Sequence, residues 1–105
     1  MSGTVVQVSP SEASKRTDWV VVDVRERHEV DLVRLPGSIH VPLRDLPHRW
    51  NQLPANRPLL LLCHHGMRSQ RAAEFLVHQG LNDVSNLSGG IDRWAREVDP
   101  SLPRY

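Results

Sequence analysis

The chain carries one cysteine, Cys63, inside the segment PLLLLCHHGMRSQRAAEFL that runs from Pro58 to Leu76. A thiol acts as a nucleophile only as the thiolate, so its chemistry depends on what stabilises a negative sulfur. The residues that follow supply such stabilisers. The first N–H groups of a helix lack internal partners and carry partial positive charge. A loop whose amides turn inward makes a nest for an anion. Gly66 permits a backbone twist that a Cβ would resist. Arg68, five residues beyond Cys63, adds a permanent positive charge at the mouth. Ser69 is placed to cap the helix that follows. A lone cysteine more often packs than reacts. Here the junction between four leucines and a glycine-arginine loop shifts the reading toward covalent chemistry at Cys63.

A reactive residue at such a junction needs a strand to deliver it and a helix behind it. Leu59–Cys63 is the strongest strand in the chain, and Ala72, Ala73, Leu76 and Val77 follow at helical spacing, closed by Gly80 at the C′ position. Trp19–Val24 (WVVVDV) is continuous and β-branched and reads as a buried strand. Thr4–Val8 reads as an edge strand, and Ser9 or Ser11 caps a helix start after it. RERHEVDLV reads as a short helix, Ile39–Val41 as a short strand and Leu43–Leu53 as a helix with Pro47 in its first turns or breaking it. Val84–Leu87 is a strand, Gly89-Gly90 a turn, and Ile91, Trp94, Ala95 and Val98 share one helical face. The tail Pro100–Tyr105, with two prolines, reads as loose. Strand and helix alternate with short links, which predicts an α/β fold with a largely parallel sheet and helices on both faces. Ligands of such sheets sit beyond the carboxyl ends of the strands. Asp23 to Glu26, Cys63 and Gly89-Gly90 all fall there.

At 105 residues the chain is expected to form one domain, residues 1–105. Thirteen basic residues against 12 acidic ones give no nucleic-acid or membrane surface. One cysteine makes no internal disulfide, and the start MSGTVVQVSPSEASKR has neither a basic n-region nor an apolar h-region. A soluble cytoplasmic protein in a reducing compartment is expected.

Four motifs carry a resemblance. CHHGMRS resembles the active-site loop of the rhodanese family, Cys-x-x-Gly followed closely by Arg, Ser or Thr. VVDVRE (Val21–Glu26) is similar to the family's first-strand signature, LPGSIHVPL to its His-Ile-Pro-Gly-Ala-x-x-Ile-Pro segment with Arg34 standing where that segment has its histidine, and LSGGIDRW to its closing Gly-Gly-x-x-x-Trp motif. The pieces stand in family order from Val21 to Trp94, about seven-tenths of the chain. The resemblance implies a five-stranded, mostly parallel sheet flanked by helices and a sulfurtransferase activity without cofactor. Cys63 would take the outer sulfur of thiosulfate and carry it as a persulfide. The amides of His64, His65, Gly66, Met67, Arg68 and Ser69 would form the cradle. Cyanide, a small thiol or a protein would then accept the sulfur. The related phosphatases and arsenate reductases use Cys-x5-Arg, whereas this loop is Cys-x4-Arg with Ser69 at the next position, which argues against those activities. A non-catalytic module that docks a partner through the same fold is the other alternative.

Further polar residues complete the expectation. Asp23 follows three valines and reads as half-buried, either bracing the cysteine loop or pairing with Arg25; the structural role is favoured. Arg25 and Glu26 also fit a solvated pair. His64 and His65 tune the site rather than react. Zinc motifs need spaced pairs such as Cys-x2-Cys, and adjacent histidines with no second cysteine predict no metal site.

Overall fold

Four consecutive leucines are unusual in an amphipathic strand but suit one covered on both faces. Leu59–Leu62 form such a strand, β4, with every residue buried. The structure is a computed structural model that describes residues 4–105. Residues 1–3, which belong to the expected 1–105 domain and to the start read above as lacking a signal sequence, lie outside the described residues. Besides β4 the sheet contains β1 (Val6–Val8), β2 (Val20–Asp23), β3 (Ile39–His40) and β5 (Val84–Leu87). Every pairing is parallel, in the order β1-β5-β4-β2-β3, so β4 is central.

Side chains alternate across a strand. Leu59, Leu61 and Cys63 join the core under α3 (Leu46–Arg49) and α4 (Met67–His78), with Leu46, Ala72, Ala73 and Leu76. Leu60 and Leu62 face the other way, toward α1 (Pro10–Ala13) and α5 (Gly90–Glu97), with Ala13, Leu87 and Ile91. Each fully buried leucine contributes about 2 kcal/mol from area alone. Cys63 therefore inherits its orientation from the strand's parity.

Local signals explain the element ends. Ser9 caps α1 through a reciprocal bond with Glu12, and Pro10 occupies its first turn. Helix α4 closes in a Schellman motif. Gly80, at φ +101°, donates to the Val77 carbonyl at 3.0 Å, and Leu81 donates to Leu76 at 3.1 Å. Leu43–Leu53 is not one helix. It breaks into a 3₁₀ turn (Leu43–Asp45), the four-residue α3 and a second 3₁₀ turn (Trp50–Gln52). Pro47 has no N–H and tolerates only a first-turn position, so the α-helical register restarts there.

Two further expectations need correction. Arg25 is not part of a solvated pair: it is fully buried between α2 (Arg27–Leu32) and β2. Its guanidinium meets the equally buried Asp23 at 2.7 Å and donates to the Val33 carbonyl at 2.7 Å. Asp23 thus pairs with Arg25 rather than reaching the cysteine loop, and Glu26 pairs with Arg44. Removing either partner of the buried pair would strand a charge, at about 3–5 kcal/mol. The tail is not loose either. Leu102 packs into the second core, Arg104 donates to Asp92 at 3.1 Å, and Tyr105 reaches the cysteine loop.

Candidate functional site

The strand β4 ends at Leu62, and α4 begins at Met67 with Gly66 as its N-cap at φ +102°. Between them the chain bends around the thiol. The Gly66 N–H donates to Cys63 Sγ at 3.0 Å, and the Ser69 N–H donates at 3.3 Å. The Ser69 hydroxyl lies 3.2 Å from the same sulfur and 2.5 Å from Asn86 Oδ1. Ser69 is therefore not the cap that its position suggests. The cap is Gly66, three residues earlier, and the Ser69 side chain turns inward, fully buried, toward the sulfur. Cys63 itself is 1% exposed.

The turn Gly89-Gly90 holds this loop from behind. The Ile91 N–H donates to the Cys63 carbonyl at 2.9 Å and the Asp92 N–H to the His64 carbonyl at 3.1 Å. The unpaired first amides of α5 are thus used on the loop. Gly90 has φ +65°, and a Cβ there would sit 2.3 Å from the His64 oxygen. Only glycine fits so close a backbone approach. From the β5 side, Asn86 Nδ2 donates to the Gly66 carbonyl at 3.2 Å and to Gln7 at 3.0 Å.

Arg68 is not a free charge at the mouth. Its two terminal nitrogens grip Glu29 on α2 at 2.6 and 2.8 Å. Glu29 is 7% exposed and also accepts from the Glu26 N–H and the Tyr105 hydroxyl, each at 2.9 Å. The Arg68 guanidinium holds the Glu29 carboxyl down at about 2, and Glu29 in return pushes Arg68 up. Two arginines, Arg25 and Arg68, therefore face two carboxylates, Asp23 and Glu29. The backbone amides are the unbalanced positive groups beside the sulfur.

The two histidines stack on each other with ring centres 3.8 Å apart, and Tyr105 stacks on the other face of His64 at 3.9 Å. Burial, with His65 beside it, lowers the His64 pKa, so the ring is neutral at pH 7. His65 and Met67 are exposed on the outer side of the loop. A pocket of about 320 Å³ lies there, lined by Gln7, His65, Gly66, Met67, Gln70 and Asn86 among others. A larger one of about 490 Å³ sits away from the thiol, between Trp19, Leu60 and Trp94. His64, His65 and Asp92 bring ligand-type atoms within 4.8 Å of one another, which adjacency alone had argued against. The Asp92 carboxylate is already held by Arg104 and Arg96, which leaves little for a cation.

Of the residues expected to act, the structure gathers Cys63, Gly66 and Ser69 on one sulfur and sets Arg68 beside them on Glu29. Asp23 and Arg25 support the wall of α2 instead. Glu29 and Tyr105 were missed. The capping box between Glu26 and Glu29 is a local signal for the first, although it says nothing of Arg68.

Comparisons with known proteins agree with this geometry. A sequence profile of the rhodanese-like domain matches residues 9–97. The thiosulfate sulfurtransferase GlpE of Stutzerimonas stutzeri is 35% identical over 91 residues, covering 87% of this chain and 83% of that protein. A solved rhodanese-related protein of Thermoplasma volcanium superposes with a TM-score of 0.86 at 29% identity, covering 95% of this chain and 99% of that one. Other relatives are longer. The adenylyltransferase and sulfurtransferase UBA4 of Meyerozyma guilliermondii is 29% identical, and the chain spans about a quarter (26%) of its length. The cysteine loop at the end of the central strand, the five parallel strands and these matches agree: the chain belongs to the rhodanese-like domain family.

Proposed function

We propose that the protein moves a sulfane sulfur from thiosulfate, or another donor of persulfide type, to a thiophilic acceptor through a persulfide on Cys63. The observation that carries the reading is the pair of amide donors on Cys63 Sγ, the Gly66 N–H and the Ser69 N–H, with the Ser69 hydroxyl 3.2 Å from the same sulfur. Two inward amides on one buried sulfur suit a negative charge held in a dry place.

The chemistry balances in two half-reactions. The Cys63 thiolate attacks the outer sulfur of thiosulfate; the bond from that sulfur to the sulfonate breaks and sulfite leaves with its electron pair. The new terminal sulfur carries the negative charge, and the amides of residues 64–69 hold it. Cyanide or a thiolate then attacks that terminal sulfur, the S–S bond breaks, and Cys63 returns as thiolate. With no second cysteine, the acceptor comes from outside the chain. That acceptor is a small thiol or a protein, and the sulfurtransferases named among the relatives support the transfer itself.

Intact mass spectrometry after incubation with thiosulfate tests the reading. The chain is expected to gain one sulfur atom that cyanide removes, and Cys63→Ser, nearly isosteric, is expected to gain none while keeping its fold. A chain that stays unmodified at millimolar thiosulfate, or a serine variant that still turns over, refutes it. The docking-module alternative predicts that unmodified chain.

A further inference from the structure

The residues from Asp99 to Tyr105 run back across the molecule to the cysteine loop. A turn at Asp99 starts them, with Leu102 N–H on the Asp99 carbonyl at 3.1 Å. Leu102 enters the second core, and Arg104 binds Asp92 on α5. Tyr105 then makes two kinds of contact. Its ring lies nearly parallel to His64, 9° between planes and 3.9 Å between centres. Its hydroxyl accepts from Arg25 Nη1 at 2.9 Å and donates to Glu29 Oε1 at 2.9 Å. That hydroxyl joins the two ion pairs, Asp23–Arg25 and Glu29–Arg68, and the ring presses on the residue next to the thiol.

We propose that Tyr105 is a positioning residue for the cysteine loop, its ring holding His64 and its hydroxyl holding Glu29, which in turn grips Arg68, so that residues 63–69 stay closed on the sulfur. The arrangement is economical in entropy, since a tyrosine orders two groups through only two side-chain torsions. Burial also keeps the phenol above its usual range, so the hydroxyl remains a donor to Glu29 through neutral pH. Loop closure matters because Cys63 is 1% exposed. A reagent larger than water reaches it through local opening of the loop, and the rate then follows the opening equilibrium.

The role rests on Cys63 being the reactive thiol, but its test follows the thiol itself and not sulfur transfer, so the two readings fail separately. The full chain, Tyr105→Phe and Tyr105→Ala are treated with iodoacetamide, and the rate at Cys63 is read by mass spectrometry with Cys63→Ser as blank. Amide hydrogen exchange in β4 and β5 is followed in parallel. Tyr105→Ala is expected to alkylate about three- to tenfold faster than the parent, since it loses the stack and both hydroxyl bonds. Tyr105→Phe, which keeps the ring, is expected between the two, and core exchange is expected unchanged in both. Equal rates in all three chains overturn the proposal. So does a rise in alkylation matched by an equal rise in core exchange, which would mark Tyr105 as a general stabiliser.

Discussion

Replacing Glu29 by glutamine removes one charge from a cluster that the fold keeps neutral. Glu29 accepts from both terminal nitrogens of Arg68, from the Tyr105 hydroxyl and from the Glu26 N–H. Its carboxyl titrates at about 2 in the folded chain against an ordinary 4.5. That difference corresponds to about 3 kcal/mol of folding stability at neutral pH. The Arg68 side chain is 34% exposed, so solvent screening brings the figure nearer about 2 kcal/mol. The folded-state value is depressed, so the unfolded chain takes up the proton first. The contribution is complete above about pH 5, falls as pH drops through the window between 4.5 and 2, and is more than half gone by about pH 3. Urea unfolding of parent and Glu29→Gln near neutral pH, and again at about pH 3, isolates the effect, because every other titrating group is common to both chains. The parent should be more stable by about 2 kcal/mol near neutrality, with the gap shrinking to under about 1 kcal/mol at the acid end. A gap that does not change with pH would show that Glu29 stabilises by shape alone, and the electrostatic account of Arg68 would fall with it.

Two other substitutions test the loop directly. In Gly90→Ala the new Cβ meets the His64 and Cys63 carbonyl oxygens at 2.3 and 2.6 Å, and neither is a side chain that swings aside. The variant should lose about 2 kcal/mol or more in urea unfolding, and a parent-like midpoint would show that the α5 turn does not hold the loop. Ser69→Ala leaves the buried Asn86 Oδ1 without its donor and removes the hydroxyl dipole 3.2 Å from the sulfur. Thiosulfate turnover should drop about tenfold with the two amides still in place, and unchanged turnover would make the hydroxyl structural only.

What the sequence made legible is what lies close along the chain. The central strand, the cysteine at its end, Gly66 and the Gly80 helix stop are set by neighbours within a few residues, and each stands where the pattern put it. The misreadings of Arg68 and of the tail share a cause. Arg68 meets Glu29 across 39 residues, and Tyr105 meets Glu29 across 76. No local pattern reports such a partner, so a paired arginine reads as a free charge and an anchored tail as a loose one. Arg25 next to Glu26 also reads as a solvated pair because both are charged, but α2 folds over it, and the other reading, a structural pair with Asp23 two residues earlier, is the one that forms. Ser69 misled for a different reason. A serine near a helix start is a capping signal, yet glycine with positive φ had already begun the helix at Gly66.

The Gly89-Gly90 turn shows how two legible motifs acquire a joint meaning only in space. A trans peptide is planar, so its C=O and the next N–H point in opposite directions. The carbonyls of Cys63 and His64 are directed at the first amides of α5. The N–H groups of His64 and His65 must therefore point away from α5, to the side opposite those carbonyls. The sulfur's own donors, Gly66 and Ser69, come from the start of α4. One helix start thus fixes the direction of the loop's first two amides, while the other supplies the donors on the sulfur. A loop that lost the α5 contact would be free to turn those peptides over, with the glycine at position 66 still in place and the cysteine still at the end of its strand. The turn at 89–90 belongs to the site as much as the cysteine loop does, although it touches no sulfur.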